Sequence, residues 1–411
     1  MFCASPNYLL VLVVFKPWFI MTKMMHRKTL TLVLLLGMAF YPLLSQAQQK
    51  YYFPERGANW KVQSPQSFKI NAQKLQAAVN FAKANEYSGD RDLRIAIAKG
   101  FAREPFHKIS GPTKKRGGPA GMILKNGYIV AQWGDTKRVD MTFSVTKSYL
   151  STVAALALDA RLIRSVDDKV GEYVWDGKFD GAHNAKITWR HLLNQSSDWY
   201  GELWGGYDWA DRPPRQGSLD DWKRRKLHEP GTHFKYNDVR VNLLAYSLLQ
   251  VWRKPLPQVI KEKVMDPIGA SSTWRWHGYK HSWTDVDGLM MQSVSGGGHS
   301  GGGLFISTED HARFGLLFLN NGRWNDQQIV SPKWIKMATT PSKANVNYGF
   351  MWWLNQKGPR HWEGVSEDIF YAAGFGGNFI IVDKAHDLVI VTRWLEPRKI
   401  GEMVKKVMEA F

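Results

Sequence analysis

Cysteine is all but missing: the 411 residues contain one, Cys3. Beyond it there is no thiol to oxidise, to ligate zinc or to attack a carbonyl. That excludes a disulfide-stapled fold, a Cys-based metal site and a cysteine nucleophile. Acid is the second scarcity, with 36 acidic against 55 Lys and Arg side chains. Internal repeats and low-complexity linkers are absent. The 44% hydrophobic content is that of a globular chain rather than a disordered or coiled-coil one. The His residues show no ligand spacing such as H-x-x-x-H on a helix, so no metal is expected. No nucleic-acid-binding motif accompanies the basic charge.

Long apolar runs are confined to the N-terminus. From Met24 or Met25 the chain reads MMHRKTLTLVLLLGMAFYPLLSQAQQK. His26, Arg27 and Lys28 form a basic segment, Leu30 to Leu44 an apolar one, and Ser45-Gln46-Ala47 a small-x-small cleavage pattern. Residues 1–47 are therefore expected to be leader and cleavable signal peptide, cut after Ala47, with a periplasmic or secreted mature chain. They hold four basic residues (Lys16, Lys23, Arg27, Lys28) and no acid, so the remainder keeps a net charge of +15. In an exported protein that balance suits an anionic surface such as cell wall, or simply solvated surface. Such a large chain can bury a core without disulfides.

Residues 48–411 read as a single domain. Leu75, Val79 and Ala82 predict a helix over 72–85. GMILKNGYIVAQWGD predicts a β-hairpin turning at Asn126-Gly127. A second helix is expected from Ser144 to Asp159, with Val145, Tyr149, Val153 and Leu156 on one stripe. Residues of about 160–300 read as helix and loop, with Ser218 an N-cap and a long apolar helix after FKYND. Ser307 opens another helix, FGGNFIIVDKAHDLVIVTRW forms two strands turning near 384–387, and a helix from Lys399 to Phe411 ends the chain. Strands at both ends and helices between predict an α+β fold: one antiparallel sheet built from the N- and C-terminal parts and flanked by helices, beside a mainly helical lobe. A cleft between sheet and lobe is the expected ligand site.

Chemistry enters at TFSVTKSYLST, residues 142–152. A Ser hydroxyl becomes nucleophilic only when a neighbour takes its proton. Ser144, near a helix start, would have the positive end of the dipole beside its developing charge. Lys147, three residues on, shares its helix face. If desolvated, its pKa would fall and it could serve as a base. The spacing by itself equally fits a capping Ser and a surface Lys.

Further segments follow in order. PGTHFKYND sets Tyr236 ahead of a helix, and AAGFGGNFIIVD puts a glycine-rich strand near the end. ITWRHLLNQSSDW and SGGGLFISTEDHARFGLLFLNNGRW lie between. Together, over about 118–395, these resemble the β-lactamase-related serine hydrolases: class C β-lactamases, D-Ala-D-Ala peptidases, family VIII-type esterases and 6-aminohexanoate-dimer hydrolases. The resemblance implies that Ser144 is acylated, that Lys147 is its proton partner and that Tyr236 exchanges protons with Ser144 and the leaving group. It also implies an oxyanion hole from the N–H groups of Ser144 and Phe375, with Asp238, Gly374 and Gly376 close to substrate. No metal and no cofactor are needed. The implied substrate is a small ester, amide or peptide.

Two positions depart from that pattern. Tyr-x-Asn is here Tyr236-Asn237-Asp238, and an Asp can accept from Lys147 but cannot donate as an amide does. Lys-Thr-Gly is here Ala372-Ala373-Gly374. Loss of that Lys, which holds a substrate carboxylate, turns the resemblance towards the esterase and amidase branch. A β-lactamase or D-amino-peptide peptidase is the alternative. A catalytically weak relative that binds cell wall is the second alternative.

Gly298-His299-Ser300-Gly301-Gly302 also matches G-x-S-x-G. It lacks the strand before and the helix after that a nucleophile elbow requires, and reads as a cleft-side loop in which His299 could touch substrate. The cluster Trp199, Tyr200, Trp204, Tyr207, Trp209 and Trp222 is either an aromatic wall of the cleft, with Trp199 and Trp204 on substrate, or lobe packing. Arg212 and Arg215 nearby could meet an anionic group, with solvated surface the preferred expectation.

Overall fold

Asn126 and Gly127 take left-handed backbone angles, φ +51° and +85°, as a two-residue hairpin turn demands. They join β1 (Ala120–Lys125) to β2 (Tyr128–Trp133). The computed structural model describes residues 51–411, which form one compact unit; the leader and signal peptide expected over 1–47 lie outside the described residues. Among these, no helix is long and apolar enough to cross a membrane.

The remaining principal strands are β3 (Asp140–Met141), β4 (Arg275–Val286), β5 (Leu289–Val294), β6 (Gly303–Ile306), β7 (Trp353–Leu354), β8 (Phe370–Gly374), β9 (Asn378–Asp383) and β10 (Leu388–Arg393). The main sheet runs β7-β8-β9-β10-β1-β2, antiparallel throughout. It joins the two ends of the chain by pairing Ala120 with Arg393 and Lys125 with Leu388. The principal helices are α1 (Ala72–Ala84), α2 (Leu93–Gly100), α3 (Thr146–Asp159), α4 (Asp238–Trp252), α5 (Thr308–Leu319) and α6 (Ile400–Met408).

Both faces of the central strands are covered, and the alternation of side chains shows it. Met122, Leu124, Ile380, Val382, Val389 and Val391 pack in the core that contains α5 and the lobe. Their neighbours Ile123, Ile381 and Ile390 pack on the opposite face with α1 and α6. The α+β architecture expected from the sequence is the one observed.

Two local expectations need correction. The helix expected to start at Ser144 begins at Thr146, after a 3₁₀ turn over Phe143–Val145. Every residue of α3 from Thr146 to Ala157 is buried, so the helix is enclosed on all sides rather than presenting one stripe. The region 160–300 is also not mainly helical to its end. A four-stranded sheet in the order β3-β6-β4-β5 occupies 275–306 together with residues 140–141. Its long hairpin turns at Asp287-Gly288, φ +56° and +81°, the same turn chemistry that identified the first hairpin.

Candidate active site

Four segments meet around Ser144: its own turn, the start of α4, the Gly296–Gly298 loop after β5, and the end of β8. Phe143, just before Ser144, sits at φ +50°, a conformation costing a β-carbon-bearing residue about 1–3 kcal/mol. Packing holds it there, its ring 5.1 Å from Phe375 and 6.4 Å from Trp394. Below the turn, Thr142 and Tyr149 are tied through His311, at 2.7 Å to Nε2 and 2.9 Å to Nδ1. Burial holds that imidazole well below its ordinary pKa, so it stays neutral with one nitrogen protonated.

Lys147, the second residue of α3, is 1% exposed. Its Nζ donates to Ser144 Oγ at 2.8 Å and to Asp238 Oδ1 at 2.6 Å. Nζ also lies 4.7 Å from the Tyr236 ring centroid. Burial alone pulls the Lys147 pKa down, as the sequence suggested. The neighbouring Asp238 carboxylate, then the Tyr236 phenol, outweigh it, and the net shift is upward. Lys147 is thus an ammonium that donates to Ser144, not a neutral amine waiting for its proton. That corrects the expectation of a lowered pKa.

Asp238 opens α4, where the helix dipole favours an anion. Burial raises its pKa, but Lys147, Arg212 and His299 more than reverse this and hold the carboxyl far below the usual range. Its backbone N–H donates to Asp211 Oδ2. Asn237 is the N-cap, accepting from Arg240 N at 3.0 Å, while its own N–H donates to Gln195 Oε1 at 2.7 Å. Tyr236 stacks on Trp353 with centroids 5.6 Å apart and meets Tyr348 edge-on at 6.2 Å. Deeper in the lobe, Arg240 and Arg225 share Asp198 and Asp208 at 2.8–3.1 Å, anchoring the first turn of α4.

Glycines permit the closest approaches. A β-carbon on Gly297 would stand 1.9 Å from Asp238 Oδ1 and 2.3 Å from Lys147 Nζ; one on Gly374 would stand 2.2 Å from Thr142 O. The end of β8 therefore lies directly against the nucleophile turn. The cavity outside Ser144 has a volume of about 440 Å³ and includes Tyr236, Trp353, Arg360, Gly374, Phe375 and Gly376 in its walls. Of the residues expected from the sequence, Ser144, Tyr236, Asp238, His299, Gly374, Phe375 and Gly376 all line it, with Lys147 buried behind. Trp204 lines a second cavity of about 540 Å³ that shares Asp238 and His299 with the first. Trp199 lines neither: it is 2% exposed in the lobe core, its Nε1 donating to Lys178 O at 2.7 Å. The bulky indole is better accommodated by that core than by the cleft.

Arg212 is the principal miss. It stands in the Ser144 cavity, not on solvated surface, with Nη2 2.7 Å from Asp238 Oδ2. Its place in a loop without periodicity gave no signal. Gly297 stands in a run of glycines, where nothing in the sequence singles it out. Glu104, His107 and His299, and likewise Asp211, Asp238 and His299, offer ligand atoms within 4.8 Å of one another. Lys147 and Arg212 already neutralise the second group, so a metal there would have to displace them. Gly298–Gly302 is a loop leading into β6, not into a helix, so Ser300 has no elbow geometry.

The Beta-lactamase family profile matches residues 113–393. The chain belongs to the beta-lactamase family. This hydrolase family extends from β1 through β10, including every segment of the site. A protein of Escherichia coli K12 named "Putative D-alanyl-D-alanine carboxypeptidase" is 24% identical over 334 residues, covering 66% of this chain and 76% of that one. Among solved structures, a beta-lactamase from Mycobacterium bovis superposes with a TM-score of 0.51 at 21% identity, over 71% of this chain and 93% of that one. A family VIII carboxylesterase does so with a TM-score of 0.53 at 18% identity, over 83% and 98%. These two likenesses concern the fold.

Proposed function

We propose that this beta-lactamase family member cleaves an ester or amide through an acyl-Ser144 intermediate. The observation that carries the reading is Ser144 Oγ held at 2.8 Å by a buried, charged Lys147 on the wall of an aromatic cavity. In the proposed step Ser144 Oγ attacks the carbonyl carbon. Its proton passes to the Tyr236 oxygen while Tyr236 gives its own to the departing alcohol or amine. Lys147 stays protonated and steadies the oxygen through the transfer. The N–H groups of Ser144 and Phe375 receive the developing oxyanion. Water then cleaves the acyl-enzyme along the reverse relay. We further propose export, with cleavage after Ala47.

A fluorophosphonate probe tests the assignment. Stoichiometric labelling that disappears in Ser144→Ala is expected; labelling that survives this change would overturn it.

One observation favours a second reading, a peptidase acting on carboxylate-ended substrates. Arg360 lines the same cavity, 4.1 Å over the Trp353 ring, and could supply the cation that Ala372 does not. Hydrolysis of D-Ala-D-Ala peptides faster than of their amidated forms, abolished in Arg360→Gln, would favour it over the esterase reading.

A further inference from the structure

A carboxylate at position 238 places an extra negative charge inside the site, and two cations meet it. Asp238 Oδ1 accepts a hydrogen bond from Lys147 at 2.6 Å, and Oδ2 faces Arg212 Nη2 at 2.7 Å in an ion pair without hydrogen-bond geometry. Arg212 is itself constrained. Its backbone is left-handed, φ +49°, Nη1 lies 2.5 Å from Asp211 Oδ1, and Nη2 lies 3.2 Å from His299 Nδ1. On the far side, His299 Nε2 is 2.5 Å from Glu104 Oε2, while Glu104 Oε1 accepts from the Arg212 backbone N–H at 3.3 Å. One imidazole tautomer satisfies both sides: Nδ1 accepts from Arg212 and Nε2–H donates to Glu104. A continuous chain thus runs from Glu104 through His299, Arg212, Asp238 and Lys147 to Ser144 Oγ.

We propose that Arg212 is a positioning residue for this site, fixing the plane of the Asp238 carboxylate so that Lys147 stays aimed at Ser144. The proposal rests on the acyl-Ser144 reading above. A carboxylate held by Lys147 alone could rotate about its Cβ–Cγ bond and carry the ammonium with it. The guanidinium charge beside the second oxygen opposes that rotation, since turning away would separate a buried ion pair. An amide at 238 would need no such cation. Asp238 and Arg212 therefore form one charge-balanced unit: without Arg212 the Asp238 carboxylate keeps only Lys147, and without Asp238 the guanidinium keeps only Asp211 and crowds the ammonium of Lys147.

A double-mutant cycle tests this, reading kcat and KM for a p-nitrophenyl ester, the rate and stoichiometry of fluorophosphonate labelling, and thermal unfolding. Arg212→Gln and Asp238→Asn should each lower kcat and labelling rate by about tenfold or more, with KM changed by less than about threefold. The double variant should recover to within about fivefold of the starting protein, because one cation and one anion leave together and the net charge beside Lys147 is restored. If Arg212→Gln does not fold, the cycle is read by adding it to Asp238→Asn, where it must raise kcat and labelling rate. Losses that multiply in the double variant, or an Arg212→Gln protein with unchanged kcat and labelling, would overturn the proposal. A wild-type protein that is not labelled at Ser144 overturns the acyl-serine reading and this proposal with it. A labelled wild type with multiplying losses removes Arg212 alone.

Discussion

At the scale of single residues, the site depends on contacts that leave no room for substitution. Gly297 is the sharpest case. Its Cα faces the Lys147–Asp238 pair, and a methyl group there would overlap both charged atoms. Gly297→Ala is expected to part them and lower kcat by about tenfold or more, since a displacement of about 1 Å at a reacting group can cost about a hundredfold. Comparing kcat with the unfolding temperature checks this, because the damage should fall on turnover. His107 offers a different test, on pH. Burial, then the neighbouring His299 ring, pushes its pKa from 6.5 to about 4. Its unfolded form takes up a proton below pH 6.5 while the folded form resists. Over that window the unfolded state binds more protons, so stability must fall as the pH drops from 6.5 towards about 4. The fully buried His311 acts in the same direction. Urea midpoints across this range should decline with acidification, and less steeply in His107→Gln; a flat or rising curve for the wild-type protein contradicts the argument.

At the scale of elements, legibility followed periodicity and turn chemistry. α1 came out over Ala72–Ala84 against an expected 72–85, and α6 over Ile400–Met408 inside an expected Lys399–Phe411. Ser218 and Ser307 cap their helices, accepting from Asp221 N and Asp310 N. β4 and β5 were overlooked although Asp287-Gly288 marks their turn, because Arg275–Val286 carries charged and polar residues on both sides of its alternation. In the site, the order of Ser144, Lys147 and Tyr236 was legible because a motif carries it. Arg212 was not, since only the folding of a loop over the start of α4 brings it there. Gly374 shows what one element demands of another. Ala at this position would drive its methyl into Thr142 O and towards Val145, pushing the end of β8 off the nucleophile turn. Gly374→Ala should slow fluorophosphonate labelling of Ser144 by about tenfold or more, with the sheet intact by circular dichroism.

Across the molecule, charge is handled in two ways. Much of the excess of Lys and Arg lies at the surface, where ion pairs such as Lys186–Glu229 and Arg253–Asp287, with both partners about half exposed, are each worth about 0–1 kcal/mol. Inside, charges are matched. Arg240 is 2% exposed and bridges Asp198 and Asp208, themselves 1% and 0% exposed, with Arg225 completing the cluster. Removing Arg240 leaves two buried carboxylates to share the single cation Arg225, an imbalance that costs about 3–5 kcal/mol. Arg240 also stands in the first turn of α4, two residues after Asp238, and its Nε donates to Trp199 O at 3.1 Å. The cluster therefore joins the aromatic core of the lobe to the helix that presents Asp238 to Lys147. Arg240→Met should lower unfolding free energy by about 3–5 kcal/mol and reduce turnover as well. Arg253→Met, at the exposed C-terminal end of the same helix, should change stability by less than about 1 kcal/mol and leave turnover as it was. Chemical denaturation and ester kinetics on the two proteins separate these outcomes: equal effects would mean that burial of the ion pair inside the lobe has no bearing on how the site is held.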